Sequence, residues 1–247
     1  MRSLTSNAHQ VKSTMQPAPH RIKLWDLPTR LGHWLVVIAV TAAIITGLLG
    51  GEWMTWHGRV GLFICGWLTF RLIWGVIGST YAQFRQFIPN RAAIVAYLLG
   101  TWHGTGHNPL GALSVVALLT LLGLQTASGL VADDDIAFRG PLSALVSSDL
   151  SATLTSLHRQ SAWVLIALIA LHIIAIALYT RLRNTPLVRQ MFTGWHETST
   201  ATAQSARGGG AVALIVALAL AAVVTWGASG GWLSIESSAP PITTPEW

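Results

Sequence analysis

Long apolar runs separated by short polar segments dominate this chain. Leu31 to Gly51 carries no charge and lies between Arg30 and Glu52. A second run extends from about His57 to Gly78 with one internal charge, Arg71. A third covers about Pro109 to Ala132, and a fourth, Gln160 to Thr180, sits between Arg159 and Arg181. The fifth, Gly208 to Ile235, has glycines at both ends, which narrows its helix to about Ala211–Ala228. A bilayer-spanning helix needs about 20 mostly apolar residues, so the pattern predicts five. The first twenty residues are polar and lack apolar periodicity, and a disordered tail is expected over residues 1–21. A basic stretch before an apolar run resembles a signal peptide. Here the run is too long and has no clear small-residue cleavage site, so a retained anchor is expected.

Composition agrees. Of 247 residues, 52% are hydrophobic and 10% charged, against about 25% charged in ordinary soluble domains. Mean hydropathy is +0.53. A disordered chain, a disulfide scaffold and a typical soluble enzyme are excluded. Cys65 is the single cysteine, so thiolate metal cages and a covalently attached c-type haem are excluded too. Twelve tryptophans suit membrane interfaces.

The net charge of +6 would suggest nucleic acid, but its distribution gives a topology instead. With the N-terminus inside, the inner segments hold Arg2, Lys12, Arg21, Lys23, Arg30, Arg85, Arg91, Arg181, Arg183, Arg189 and Arg207. The outer ones hold only Arg59, Arg139 and Arg159. Basic residues gather on the cytoplasmic side of membrane proteins. The expected location is therefore the bacterial inner membrane, with the N-terminus cytoplasmic and the C-terminus periplasmic. No nucleic-acid partner is expected.

Four of the nine histidines lie at the start of predicted spans or within one. His33 opens the first helix inside, His57 opens the second outside, and His158 opens the fourth outside. His172 follows His158 by fourteen residues, which is about 21 Å along a helix and about 40° short of four turns. His158 and His172 thus share a face at opposite depths. His33 lies at the level of His172, and His57 at the level of His158. A lone interfacial histidine is ordinarily a hydrogen-bonded packing residue. Four that pair by depth fit the axial nitrogens of two b-type haems, since intramembrane histidines face the interior and mark functional paths. His103 and His107 have i,i+4 spacing, but Gly104 and Gly106 interrupt any helix, and a plain loop is expected. His9 and His20 are assigned no role, and His196 is expected in solvent.

Trp25-Asp26-Leu27-Pro28-Thr29-Arg30-Leu31-Gly32-His33-Trp34 resembles the start of the first helix in the bacterial cytochrome b561 family, which includes the cytochrome b subunits of nickel–iron hydrogenases. His57-Gly58-Arg59-Val60-Gly61 and Phe70-Arg71-Leu72-Ile73-Trp74-Gly75 resemble the two ends of its second helix. Gly106-His107-Asn108-Pro109-Leu110-Gly111 resembles the start of its third, and Asp133-Asp134-Asp135-Ile136-Ala137-Phe138 its outer loop. Leu157-His158-Arg159 and Leu171-His172 resemble its fourth helix. The resemblance covers about residues 22–196. It implies two haems, one on His33 with His172 and one on His57 with His158. It also implies electron transfer between a quinone and a redox partner.

The fold expected is all-α: an integral-membrane four-helix haem-binding bundle over 22–196, then a fifth transmembrane helix and periplasmic tail over 197–247. Two imidazoles per iron leave no position for oxygen, which suits electron transfer. Arg59 and Arg159 beside the outer histidines, Arg30 one turn before His33, and Arg71 fourteen residues after His57 are candidates for haem propionates. For Arg71 the expected partner is an inner haem propionate or a quinone oxygen, and snorkelling to headgroups is the plain alternative. Gly47 and Gly61 would admit a flat macrocycle or simply close helix packing. The acidic loop Asp133–Asp135 would dock a basic partner such as a periplasmic c-type cytochrome, or simply be solvated. Ser237–Trp247 is expected to be extended. The function expected is a di-haem membrane cytochrome linking the quinone pool to a periplasmic or subunit redox partner. The alternatives are a free-standing quinone oxidoreductase, for instance superoxide-linked, a histidine-lined metal or haem transporter, and a structural anchor.

Overall fold

Asp26 opens the first helix. Its Oδ1 accepts from the Thr29 amide at 2.7 Å, and Pro28 stands in the first turn, where its missing N–H costs nothing. The helix therefore begins at Leu27, one turn before the charge-free interval, because Arg30 sits on its surface rather than ending it.

A computed structural model describes residues 20–233 except 103, 105, 137 and 201. His9, His103 and the Ser237–Trp247 segment lie outside the described residues. In chain order the elements are β1 (His20–Lys23), α1 (Leu27–Leu49), α2 (Trp53–Ile77), the short α3 (Phe84–Phe87) and α4 (Arg91–Leu98), and α5 (Pro109–Leu130). They continue with α6 (Ser148–Leu182), α7 (Leu187–Thr193), β2 (Trp195–Thr198) and α8 (Ala211–Ala228). Five of these, α1, α2, α5, α6 and α8, are long and apolar enough to cross a membrane. The fifth has the bounds its glycines predicted.

The largest difference from expectation is α6. Ser147 caps it, its hydroxyl accepting from the Leu150 amide, and the helix runs for 35 residues. Its length is about 52 Å, well beyond a hydrocarbon core of about 30 Å. Asp149 and Arg159 are good surface residues on a helix that extends past the bilayer, so the charge-free interval marked only its middle. His158 consequently stands well inside α6 instead of at its start.

In the bundle α2 packs against α1, α5 and α8, and α6 packs along α5. Ala39, Ile64, Leu122 and Leu165 form the central core, one residue from each of α1, α2, α5 and α6. Leu165 lies midway between His158 and His172, so this apolar plug separates the two histidine levels. Outward-facing Ile38, Val76, Leu171 and Ile215 are exposed, as a lipid-facing surface requires. On the other side of α2, small residues admit α8. A Cβ on Gly66 would fall 2.3 Å from Thr225 Oγ1, and Ala217 and Ala221 are buried there.

A small antiparallel sheet closes the His33 end, with Ile22 opposite His196 and Lys23 opposite Trp195. The polar tail expected through residue 21 thus gives way to structure at His20. Ile22, Leu24 and Trp25 form a second buried cluster, and that burial orders the strand. The Leu24 and Trp25 amides both donate to Gly194 O. Gly194 takes a positive φ of 82°, and a Cβ there would meet Trp25 O at 2.6 Å. Only glycine serves at that crossing. The segment after β2 returns over the same end, with Ala206 N donating to Lys23 O and Thr80 N to Arg207 O.

Candidate functional site

His57 on α2 and His158 on α6 meet across the bundle with ring centroids 6.0 Å apart and planes at 88°. Each ring is held by another helix. His57 Nδ1 bonds Ala43 O of α1 at 2.9 Å. His158 Nδ1 bonds Gln125 O of α5 at 3.0 Å and Ser128 Oγ at 3.1 Å. Two glycines make room: a Cβ on Gly47 would lie 3.0 Å from His57 Cε1, and one on Gly129 3.0 Å from His158 Cε1. Gly47, considered above for a macrocycle, here admits an imidazole. Gly61 is half-buried, yet a Cβ on it would touch nothing within 4 Å.

This donor set fits a bis-histidine haem. An imidazole that binds metal through Nε2 characteristically donates its Nδ1–H to a backbone carbonyl. Both rings do so, leaving Nε2 free on each. With metal–nitrogen bonds of about 2 Å, the 6.0 Å centroid spacing suits a single iron between two rings.

At the other end lie His33, two turns into α1, and His172 of α6. His172 Nδ1 is 3.3 Å from Ser114 Oγ of α5. His33 Nδ1 is buried without a partner, as are Trp34 Nε1, Trp67 Nε1, Arg30 Nε and Arg71 Nη1. Buried polar atoms ordinarily find partners. So many orphans at one level fit a polar ligand with acceptor oxygens, which haem propionates supply.

The four arginines divide. Arg71 lies over the Phe84 ring at 4.8 Å with its Nη1 buried and unpartnered. Arg30 donates through Nη1 to Phe192 O and leaves Nε in the cluster. Arg59 is exposed, stacked on Trp56 at 4.9 Å. Arg159 is also exposed and shares a surface cavity with Asp133, Asp134 and Asp135. The acidic loop spends part of its charge internally. Asp133 pairs with Arg139 at 2.8 Å, and Asp134 accepts from the Ile136 and Phe138 amides.

His107 is the residue the sequence undervalued. It packs between Trp25 and Phe87, with centroids at 4.8 and 4.7 Å, and its Nδ1 is buried without a partner. Gly104 and Gly106 do break the helix, as read. The signal that placed it was the cap that follows: Asn108 Oδ1 accepts from the Gly111 amide ahead of Pro109, fixing His107 at the mouth of α5. His196, expected in solvent, is half-buried in β2, and burial pushes it below the usual histidine range. Among the described residues no group of three or more His, Cys, Asp or Glu gathers to hold a free metal ion.

Burial first, then Arg71 and His172, lower the His107 pKa from 6.5 to about 4. The unfolded chain therefore binds more protons in that window, and stability present above pH 6.5 is lost as pH falls toward 4, by roughly 3 kcal/mol. The variant His107→Phe keeps the aromatic packing. Its melting temperature should fall less between pH 6.5 and 4 than that of the wild type. Equal losses would contradict the assignment.

The chain matches the family described as prokaryotic cytochrome b561 over residues 24–194, more than half its length. No curated protein and no solved structure matches it. The matched region holds α1, α2, α5 and α6 with His33, His57, His158 and His172. With this match and five helices long and apolar enough to cross a membrane, the chain belongs to the prokaryotic cytochrome b561 family and is a multi-pass membrane b-type cytochrome of electron transfer.

Proposed function

We propose that the chain holds two b-type haems, on His57 with His158 and on His33 with His172. It would carry electrons across the bacterial inner membrane between quinone and a periplasmic or subunit redox partner. The observation that carries the proposal is the opposed His57–His158 pair, each ring fixed through Nδ1 by a neighbouring helix with Nε2 left free.

Bound haem supplies one-electron chemistry. The chain's residues do the rest. His57 with His158 and His33 with His172 would hold the haems through their imidazoles, and haem held in this way would supply electron transfer. Ala39, Ile64, Leu122 and Leu165 keep the space between the two levels dry. Arg71, with Arg30, faces the acceptor oxygens of the group at the His33 end, since a buried arginine in a membrane needs a partner. Arg59 and Arg159 stay at the opposite rim, within reach of a docking partner or of propionates there.

The basic residues of the segments at the His33 end support a cytoplasmic position for it by the positive-inside rule. The Asp133–Asp135 loop then faces the periplasm and would steer a basic partner such as a c-type cytochrome. Reduced-minus-oxidised absorption of purified protein tests the proposal. Two b-type haems per chain support it, and folded, colourless protein from haem-replete cells refutes it.

A further inference from the structure

Between the end of α6, α7 and the small sheet lies a cavity of about 240 Å³, and none of His33, His57, His158 and His172 lines it. It is smaller than the pockets of about 300–1,000 Å³ that hold drug-sized molecules, so it suits a small polar group. The chain leaves α6 after Leu182, turns at Asn184 with a positive φ of 49°, and re-enters a helix at Leu187. That turn brings Arg21, Arg189, Gln190, Trp195 and Glu197 around one space.

The walls favour an anion. Arg189 is exposed and has no acidic partner among the described residues. Arg21 stands opposite Glu197 in the sheet, but their closest approach is 4.0 Å and both side chains are mostly exposed, so that pair is weak. Arg21 rests instead on Trp195, its guanidinium carbon 5.6 Å from the ring centroid. Gln190 is only 5% exposed and lines the cavity, and its side-chain amide has no hydrogen-bond partner among the described residues. A buried amide ordinarily finds one. Two guanidiniums and an unpartnered amide N–H match a phosphate group, which accepts paired hydrogen bonds from arginine.

Position decides the source of that phosphate. The apolar run of α6 ends at Thr180, and Asn184, four residues later, already lines the cavity, which puts the cavity at headgroup level. Leu182, Val188 and Phe192 flank it in the chain as exposed apolar side chains, and Arg181 and Arg183 add exposed cations. Basic pockets at the membrane surface take anionic lipid headgroups. We infer that this cavity is a headgroup site for an anionic phospholipid, the phosphate held by Arg21, Arg189 and Gln190. The site is independent of the haems, but it bears on them. Phe192 of α7 stacks on Trp34 at 4.3 Å, and its carbonyl accepts from Arg30, one turn before His33. A lipid bound here steadies α7 and β2 as the cap over the His33 level.

Delipidated full-length protein in neutral detergent, titrated with phosphatidylglycerol, phosphatidylcholine or inorganic phosphate, tests the site by native mass spectrometry and by melting temperature. Phosphatidylglycerol should bind, and raise the melting temperature, at concentrations where phosphatidylcholine and inorganic phosphate do neither. Arg21→Gln combined with Arg189→Gln should weaken that binding by about tenfold or more, because hydrogen bonds to charged groups are the strong ones. Gln190→Leu, which keeps both charges, should weaken it by less. Arg85→Gln combined with Arg91→Gln removes the same charge from two exposed arginines outside the cavity and should leave binding unchanged. Equal losses in the two double variants would mean that diffuse surface charge attracts the lipid. An equal effect of inorganic phosphate would assign the cavity to a free phosphate. Either result overturns the inference, as does full binding by the Arg21→Gln, Arg189→Gln variant or equal binding of phosphatidylcholine.

Discussion

His57→Ala removes about half of the haem bound by the purified protein and leaves the other half spectrally unchanged. His57 and His158 would supply the two axial nitrogens of one centre, and an iron that loses either is held by a single protein bond. Second-shell partners alone are worth 10–100-fold in metal affinity, so an axial ligand is worth more. The effect stays local because the core of Ala39, Ile64, Leu122 and Leu165 separates the levels. His158→Ala should give the same half, and His33→Ala or His172→Ala the complementary half. Haem quantified per chain, with the reduced spectrum of each variant, checks the result. Loss of both haems from every variant, or of none, would contradict the pairing.

Arg71→Gln weakens the haem at the His33 end by about tenfold to a hundredfold and spares the other. Hydrogen bonds to charged groups contribute about 1.5–3 kcal/mol, and 1.4 kcal/mol is tenfold in affinity. Arg71 lies within α2, stacked on Phe84, with Nη1 buried and unpartnered. Glutamine keeps some reach and a donor but removes the charge, so the variant isolates the cation from the packing. Haem retained through purification, counted per chain in the His57→Ala and His33→Ala backgrounds, reads the effect at each level. Equal retention at both levels would mean that Arg71 serves packing alone.

Much of this was legible because lipid imposes a strong constraint. Every span must be apolar for about 20 residues, so four charge-free intervals and one interrupted only by Arg71 marked the five helices, and α8 fell within its flanking glycines. Ends were less legible. Charges such as Asp149 and Arg159 sit on helices that run beyond the bilayer, and the helix ends at caps such as Ser147 instead. The histidine levels followed from spacing on one helix, because a 3.6-residue turn fixes both depth and face.

What the sequence hid depends on tertiary approach. Gly47 and Gly129 matter through the rings that lie against them, and no periodicity reports that. His107 looked like loop, because its importance comes from Trp25 and Phe87 folding over it from distant segments. The sheet at the His33 end pairs residues about 175 positions apart in the chain, beyond any local pattern. Arg71 stood out in the sequence as the one charge inside a span, and the structure adds that it lies against Phe84 with Nη1 buried, whereas Arg59 is exposed on Trp56.

The most direct test of the central claim is electron paramagnetic resonance of the oxidised protein, with haem counted per chain. The perpendicular rings of His57 and His158, at 88°, predict a strongly anisotropic low-spin ferric signal accounting for one of two haems. A high-spin signal for that centre, or a single haem per chain, would contradict the account.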